Sequence, residues 1–333
     1  MQGPWVHAMA LYMISRRSVG ASSPAKARAS LPELASSLVA SLVSIPIRAN
    51  QSMTVAQVVA LAREANAGSA TAQYTLGVLG LVGKLGTTGR RKAHALLAAA
   101  AMQNHPRACF TLGMMHRHGA LIPRNDEKAV HLFQNAARSG HARAQNALAQ
   151  MMLAGLGVAQ DIAQATDLLE AAAAQGVDEA KASLGVLYLK PDAPVAHRQR
   201  GLDLLIEAGL AGVTEAQYYL GWLHHIGTRI PQNLDVARKW YGMAAECGEP
   251  KAQYNLAIMM LKPSGEYFEP VTALKWLLIL ATGQNPSLKE PAGNAIHKLA
   301  PQLSADQIST ATEAAIAWLK QHRKAEWMPL RVQ

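Results

Sequence analysis

The sequence predicts an all-α fold, an α/α solenoid (superhelix) of helix–turn–helix repeats of 36 residues, and three observations predict it. Alanine, the strongest helix former, supplies 62 of the 333 residues, while aromatic residues make up only 5%. Leu76, Leu112, Leu148, Leu184, Leu220 and Leu256 follow one another at a constant spacing of 36 residues, each four residues after an alanine: Ala72, Ala108, Ala144, Ala180, Ala216 and Ala252. A further column, Gly68, Asn104, Gly140, Gly176, Gly212 and Gly248, punctuates the copies with the two residue types that tolerate the left-handed conformation closing a helix.

Residues 1–50 hold five basic residues, one acid (Glu33) and no repeat match, which fits a disordered basic leader or a targeting segment. An exported reading takes Arg16, Arg17, Lys26 and Arg28 as the charged region and Leu34–Ile47 as the apolar one; a cytoplasmic reading treats the segment as a tail and is preferred. No run of 18 or more apolar residues predicts a spanning helix. Residues 51–68 carry the pattern of a second repeat helix, with Leu61 and Ala65, and are expected to form an N-terminal capping helix.

Six copies follow, 69–104, 105–140, 141–176, 177–212, 213–248 and 249–284. In each, helix A carries the alanine and the leucine on one stripe, followed by Gly77, Gly113, Ala149, Gly185, Gly221 or Ala257; in the first copy the stripe extends to Gly83. Small residues flanking the leucine let two helix axes approach closely. Asn125, Asp161 and Asn233 are expected N-caps of helix B, whose stripe is Ala129, Phe133 and Ala136 in one copy and Ala237, Tyr241 and Ala244 in another. The A–B turn changes to Lys190-Pro191 in the fourth copy and Lys262-Pro263 in the sixth, predicting corners of another shape. Residues 285–324 lose the period but keep an amphipathic stripe through Ile308, Thr312, Ala315, Ile316 and Leu319, behind the capping-box string Ser304-Ala305-Asp306-Gln307. These are expected to be C-terminal capping helices, with 325–333 a tail.

The strings Ala72-Gln73-Tyr74-Thr75-Leu76-Gly77, Ala216-Gln217-Tyr218-Tyr219-Leu220-Gly221 and Ala252-Gln253-Tyr254-Asn255-Leu256-Ala257 resemble Sel1-like repeats, as do the Gly155–Asp161 turn and the Ala237–Gly248 helix. The resemblance covers roughly residues 51–284 and implies a tetratricopeptide-like solenoid that acts as a non-catalytic scaffold or adaptor. Some cysteine-rich relatives carry a disulfide in each repeat. Here Cys109 and Cys247 fall in different columns, and both read as free, packed thiols.

Chemistry-bearing motifs are sparse. GxSxG, HExxH and a strand-borne GxGxxG are absent, and Gly77 to Gly83-Lys84-Leu85 has the wrong spacing for a phosphate loop. His116 and His224 share one column three copies apart, too distant for a common metal ion. No catalytic residue, metal or cofactor is therefore expected. The opposite side of helix A carries the candidate partner-binding residues: Tyr74, Phe110, Tyr218 and Tyr254 two positions after the alanine, Met114 and Trp222 at the sixth, and Arg107, Arg143 and Lys251 one before it. Aromatic and arginine side chains are what protein-binding hot spots use, so a concave groove for a protein or peptide centred on Tyr218, Trp222 and Tyr254 is expected. The competing reading packs these tyrosines against the neighbouring copy.

Two alternatives come from other classes. One is a cell-wall-associated or β-lactam-type hydrolase, as claimed for some cysteine-rich relatives; no nucleophile–base pair supports it. The other is an RNA-binding helical repeat, suggested by the net charge of +10. Four of those ten charges reside in the leader, and the groove column mixes arginine with Glu179 and Glu215, so nucleic acid is not the expected ligand.

Overall fold

The structure, a computed structural model, describes residues 55–83, 85–191, 193–262, 267–283 and 285–327. The leader expected at 1–50, Lys84, Pro263 and the tail beyond 327 lie outside the described residues. Among the described residues, fifteen α-helices occur and no strand. They are α1 (Val55–Asn66), α2 (Ala70–Leu81), α3 (Gly86–Met102), α4 (Pro106–His118), α5 (Asp126–Arg138), α6 (Ala142–Ala154), α7 (Ile162–Ala174) and α8 (Asp178–Tyr188). There follow α9 (Arg198–Leu210), α10 (Thr214–Ile226), α11 (Leu234–Glu246), α12 (Pro250–Met260), α13 (Pro270–Thr282), α14 (Pro286–Leu299) and α15 (Ala305–Trp327). A helices start at 70, 106, 142, 178, 214 and 250, and from α5 onward B helices start at 126, 162, 198, 234 and 270, so the 36-residue period governs the backbone. None of the described helices is long and apolar enough to cross a membrane.

The described repeats fall into two compact units, 55–184 and 185–325, divided inside α8. Within each, a helix packs chiefly on its predecessor and successor in the chain, the arrangement of an α/α solenoid. All six recurrent alanines are at most 1% exposed and all six recurrent leucines at most 7%. The expected close approach of A to B is visible at the glycines. A Cβ on Gly77 would lie 2.8 Å from Leu97 Cγ, one on Gly113 2.6 Å from Phe133 Cε1, and one on Gly221 2.6 Å from Tyr241 Cδ1.

Local signals set the boundaries. Asn125, Asp161 and Asn233 accept the N–H of Lys128 (2.8 Å), Gln164 (2.9 Å) and Val236 (3.0 Å), satisfying donors that the first turn leaves orphaned. Gly68, Asn104, Gly140, Gly176, Gly212 and Gly248 all take positive φ, from 56° to 97°. Gly83 departs from expectation: it lies beyond α2 with φ 76°, as part of the turn. The fourth-copy corner is reshaped by a 3-10 turn, Val195–His197. Ser304 and Gln307 exchange the two capping-box bonds, Gln307 N–H to Ser304 Oγ at 3.2 Å and Ser304 N–H to Gln307 Oε1 at 2.9 Å.

Cys109 is buried, but Cys247 is exposed, which corrects the expectation that both thiols are packed. Cys247 is the C-cap of α11, one turn past the buried stripe of Ala237, Tyr241 and Ala244.

Candidate functional site

In the unit 55–184, position two of helix A faces inward more than amphipathic spacing suggests. Tyr74 and Phe110 are buried, as is Met114 at the sixth position. Tyr74 stacks on His105 with ring centroids 4.9 Å apart, and Phe110 stacks on His141 at 5.0 Å, the same pair displaced by one period. Burial pushes the Tyr74 hydroxyl pKa up, against the lowering effects of a hydrogen bond with Thr111 and the charge of Arg107. Arg107 stands exposed at the start of α4, and Arg143 is half-buried at the start of α6. Against Tyr74, His105, Arg107 and His141 lies a cavity of about 430 Å³.

His105 and His141 were not singled out by sequence reasoning. Each is an N-cap, its Nδ1 accepting the backbone N–H of Ala108 (3.3 Å) or Ala144 (3.2 Å). The signal available in the sequence was their spacing of 36 residues, directly after Asn104 and Gly140. Both have pKa values lowered from the ordinary 6.5, first by burial, with Arg107 adding like-charge repulsion. The glutamine of the Ala-Gln-Tyr string also has a structural role. Gln73, Gln217 and Gln253 donate through Nε2 to the carbonyls of Ala65 (3.1 Å), Gly209 (3.0 Å) and Ala245 (3.1 Å), tying helix A to the preceding B helix.

In the unit 185–325 the aromatic residues are more open. Tyr218, Trp222 and Tyr254 are half-buried and pack against one apolar core that includes Tyr241, Leu256 and Trp276. Lys251, exposed, sits over the Tyr218 ring with Nζ 5.9 Å from its centroid, a cation–π contact. Tyr219 flanks Trp222 at 5.4 Å, and Asn255 donates to the Tyr241 hydroxyl at 3.1 Å. The arrangement brings Lys251 to Tyr218 and leaves part of Trp222 and Tyr254 accessible.

The histidines of the shared column brace the A–B corner. The backbone carbonyls of His116 and His224 accept the N–H of Asn125 (3.0 Å) and Asn233 (2.9 Å), and each imidazole hydrogen-bonds the backbone of Pro123 or Pro231. Among the described residues, no group of three or more His, Cys, Asp or Glu side chains is placed to hold a metal ion.

Known proteins share this architecture. A Sel1 repeat protein from Oxalobacter formigenes superposes with a TM-score of 0.58 at 23% identity, covering 78% of this chain and 99% of that one. The protective antigen c5321 of uropathogenic Escherichia coli, which displays an SLR fold, gives a TM-score of 0.52 at 20% identity over 81% of this chain and 73% of its own. At these identities the likeness is one of fold. No curated protein matches the sequence. The Sel1 repeat family model matches residues 70–105, 106–141, 142–177, 214–249 and 250–285, passing over the fourth copy, where the corner is reshaped. These five matches cover more than half of the chain, which therefore belongs to the Sel1 repeat family.

Proposed function

We propose that this chain is a non-catalytic adaptor that binds a protein or peptide partner on the helix A side of its repeats. Sel1 repeat proteins are commonly protein-interaction scaffolds, and their solenoid is typically non-catalytic. The observation that carries the reading is the partly open aromatic cluster of Tyr218, Trp222 and Tyr254 beside the exposed Lys251. Large aromatic rings seated on a rigid core with one face accessible lose little conformational entropy on binding, which is why they dominate interface energetics. In the other unit the side chains of Tyr74, Phe110 and Met114 are buried, and the contact surface falls to Arg107 and Arg143.

The test is affinity purification of the full chain from its own cells beside Trp222→Ala, with bound proteins identified by mass spectrometry and each interaction re-measured with purified components. A specific partner whose affinity falls about tenfold or more with Trp222→Ala is the expected result. Turnover of cell-wall or β-lactam substrates by the purified wild-type chain would replace this reading with the hydrolase one. A salt-sensitive nucleic acid as the sole bound species would replace it with the RNA-binding one.

A further inference from the structure

The cavity beside α4 has a consistent electrostatic character. His105 and His141 spend Nδ1 on capping, so each neutral ring carries its proton on Nε2 and offers a donor. Arg107 adds a guanidinium that forms no ion pair among the described residues. The lining includes Tyr74 and Thr71 but no carboxylate. The fixed charges acting on the groups around it are cationic: Arg107 on Tyr74 and His105, and Arg107 and Arg143 on His141. A site with several donors, a fixed positive charge and no internal counter-ion favours an anionic ligand group.

The repeat register shows how far this character extends. Arg107 and His105 recur one period later as Arg143 and His141, but the next period reads Glu179 and Val177. The basic strip is therefore two copies long and ends where the column turns acidic. Its volume of about 430 Å³ is within the range of pockets that take small groups, about 300–1,000 Å³, and it holds a side chain or two of an extended peptide.

We infer that the cavity formed by Tyr74, His105, Arg107 and His141 binds acidic side chains of an extended partner peptide, with Arg107 pairing a carboxylate and the two imidazole Nε2–H groups donating to it. This rests on the adaptor reading and names the chemistry of its partner. Arginine matches a carboxylate with two parallel N–H groups, a geometry that lysine cannot offer.

The probe is a fluorescent decapeptide alternating Glu and Ala, set against the same peptide with Gln for Glu, and binding to the full chain is followed by anisotropy at low and moderate salt. The Glu peptide is expected to bind about tenfold or more tighter than the Gln peptide. Arg107→Glu should abolish that preference. His141→Asn, which keeps an N-capping oxygen but removes the Nε2 donor, should reduce it several-fold. Lys239→Glu, the same charge reversal at an exposed position of α11, should leave it nearly unchanged. Circular dichroism of each variant checks that it is folded. Equal losses for Arg107→Glu and Lys239→Glu would reduce the effect to general charge attraction and overturn the site, as would equal binding of the two peptides. Failure here with Trp222-dependent partner capture intact removes this inference and leaves the adaptor reading standing. Arg107-dependent peptide binding combined with no partner captured removes the wider reading instead.

Discussion

At the scale of single residues, the column after each leucine shows how closely the A and B helices approach. Glycine stands there opposite Phe133 and Tyr241, both fully buried, and also opposite Leu97 and Leu205: a Cβ at Gly113 or Gly221 would meet the rings at 2.6 Å, and one at Gly77 or Gly185 would meet the leucine Cγ at 2.8 or 2.7 Å. Ala149 and Ala257 occupy the same column one period later, where the B position is Leu169 or Leu277. Glycine in a helix costs about 1 kcal/mol relative to alanine, so packing has to outweigh propensity at these sites. Gly221→Ala is expected to destabilise by about 1–3 kcal/mol, the cost of overpacking, despite its gain in propensity. Gly242→Ala, in α11 with nothing within 4 Å of its added Cβ, is expected to stabilise by up to about 1 kcal/mol. Urea denaturation of the two variants measures both signs.

Helix ends form the next scale. In α4 and α6 the N-cap is an imidazole, an acceptor that exists only while the ring is neutral. Protonation places a second donor against the N–H of Ala108 or Ala144, and burial together with Arg107 opposes it. The sign follows from the depressed folded-state values. The unfolded chain binds protons near 6.5 while the folded one still resists, so this contribution is complete above about pH 6.5 and fades as pH falls through the lower folded values. His116, His118, His224 and His225 are lowered too and add slope in the same direction. Thermal melts are expected to show a midpoint that drops on acidification from pH 7 to 5. The double variant His105→Asn, His141→Asn should drop less, since an asparagine cap does not titrate there. A variant slope equal to the wild-type slope would remove the two caps from the account.

Over the whole chain, stability comes from neighbour-on-neighbour burial, and an end must be covered by something that does not repeat. α13 is buried on every side, with Leu274, Trp276, Leu277, Leu278, Ile279 and Leu280 all at 5% or less, and so needs cover beyond the α12 it follows. Ala292 and Leu299 of α14 and Ile308, Ala311 and Ala315 of α15 join that core. Trp318 and His322, stacked on one another within α15, tie it to the end of α11: Trp318 donates from Nε1 to the Glu246 carboxylate at 2.9 Å, and His322 Nε2 lies 2.8 Å from the Glu246 carbonyl oxygen. Truncation after Thr282 is expected to expose the α13 face and give a self-associating chain with a lower melting temperature, read by size-exclusion chromatography and dye binding. A monomeric truncation of unchanged stability would show that α14 and α15 are dispensable.

The period of 36, the capping asparagines and aspartate, the left-handed punctuation and the small residues at A–B contacts were all legible in the residues, because each is a local requirement repeated often enough to stand above chance. The Ser304 capping box was legible for the same reason. Two things were decided only by packing in three dimensions. Tyr74 and Phe110 share a column with Tyr218 and Tyr254, yet the first two are buried under histidine rings and the latter two are half open. That difference arises 31 residues downstream, where His105 and His141 give way to Glu249 and Asn285. The exposure of Cys247 depended on where α11 ends. Local propensity and periodicity settle which residues turn inward on an isolated helix, whereas exposure within a column depends on what the adjacent copy lays over it, and that is a property of the assembled stack.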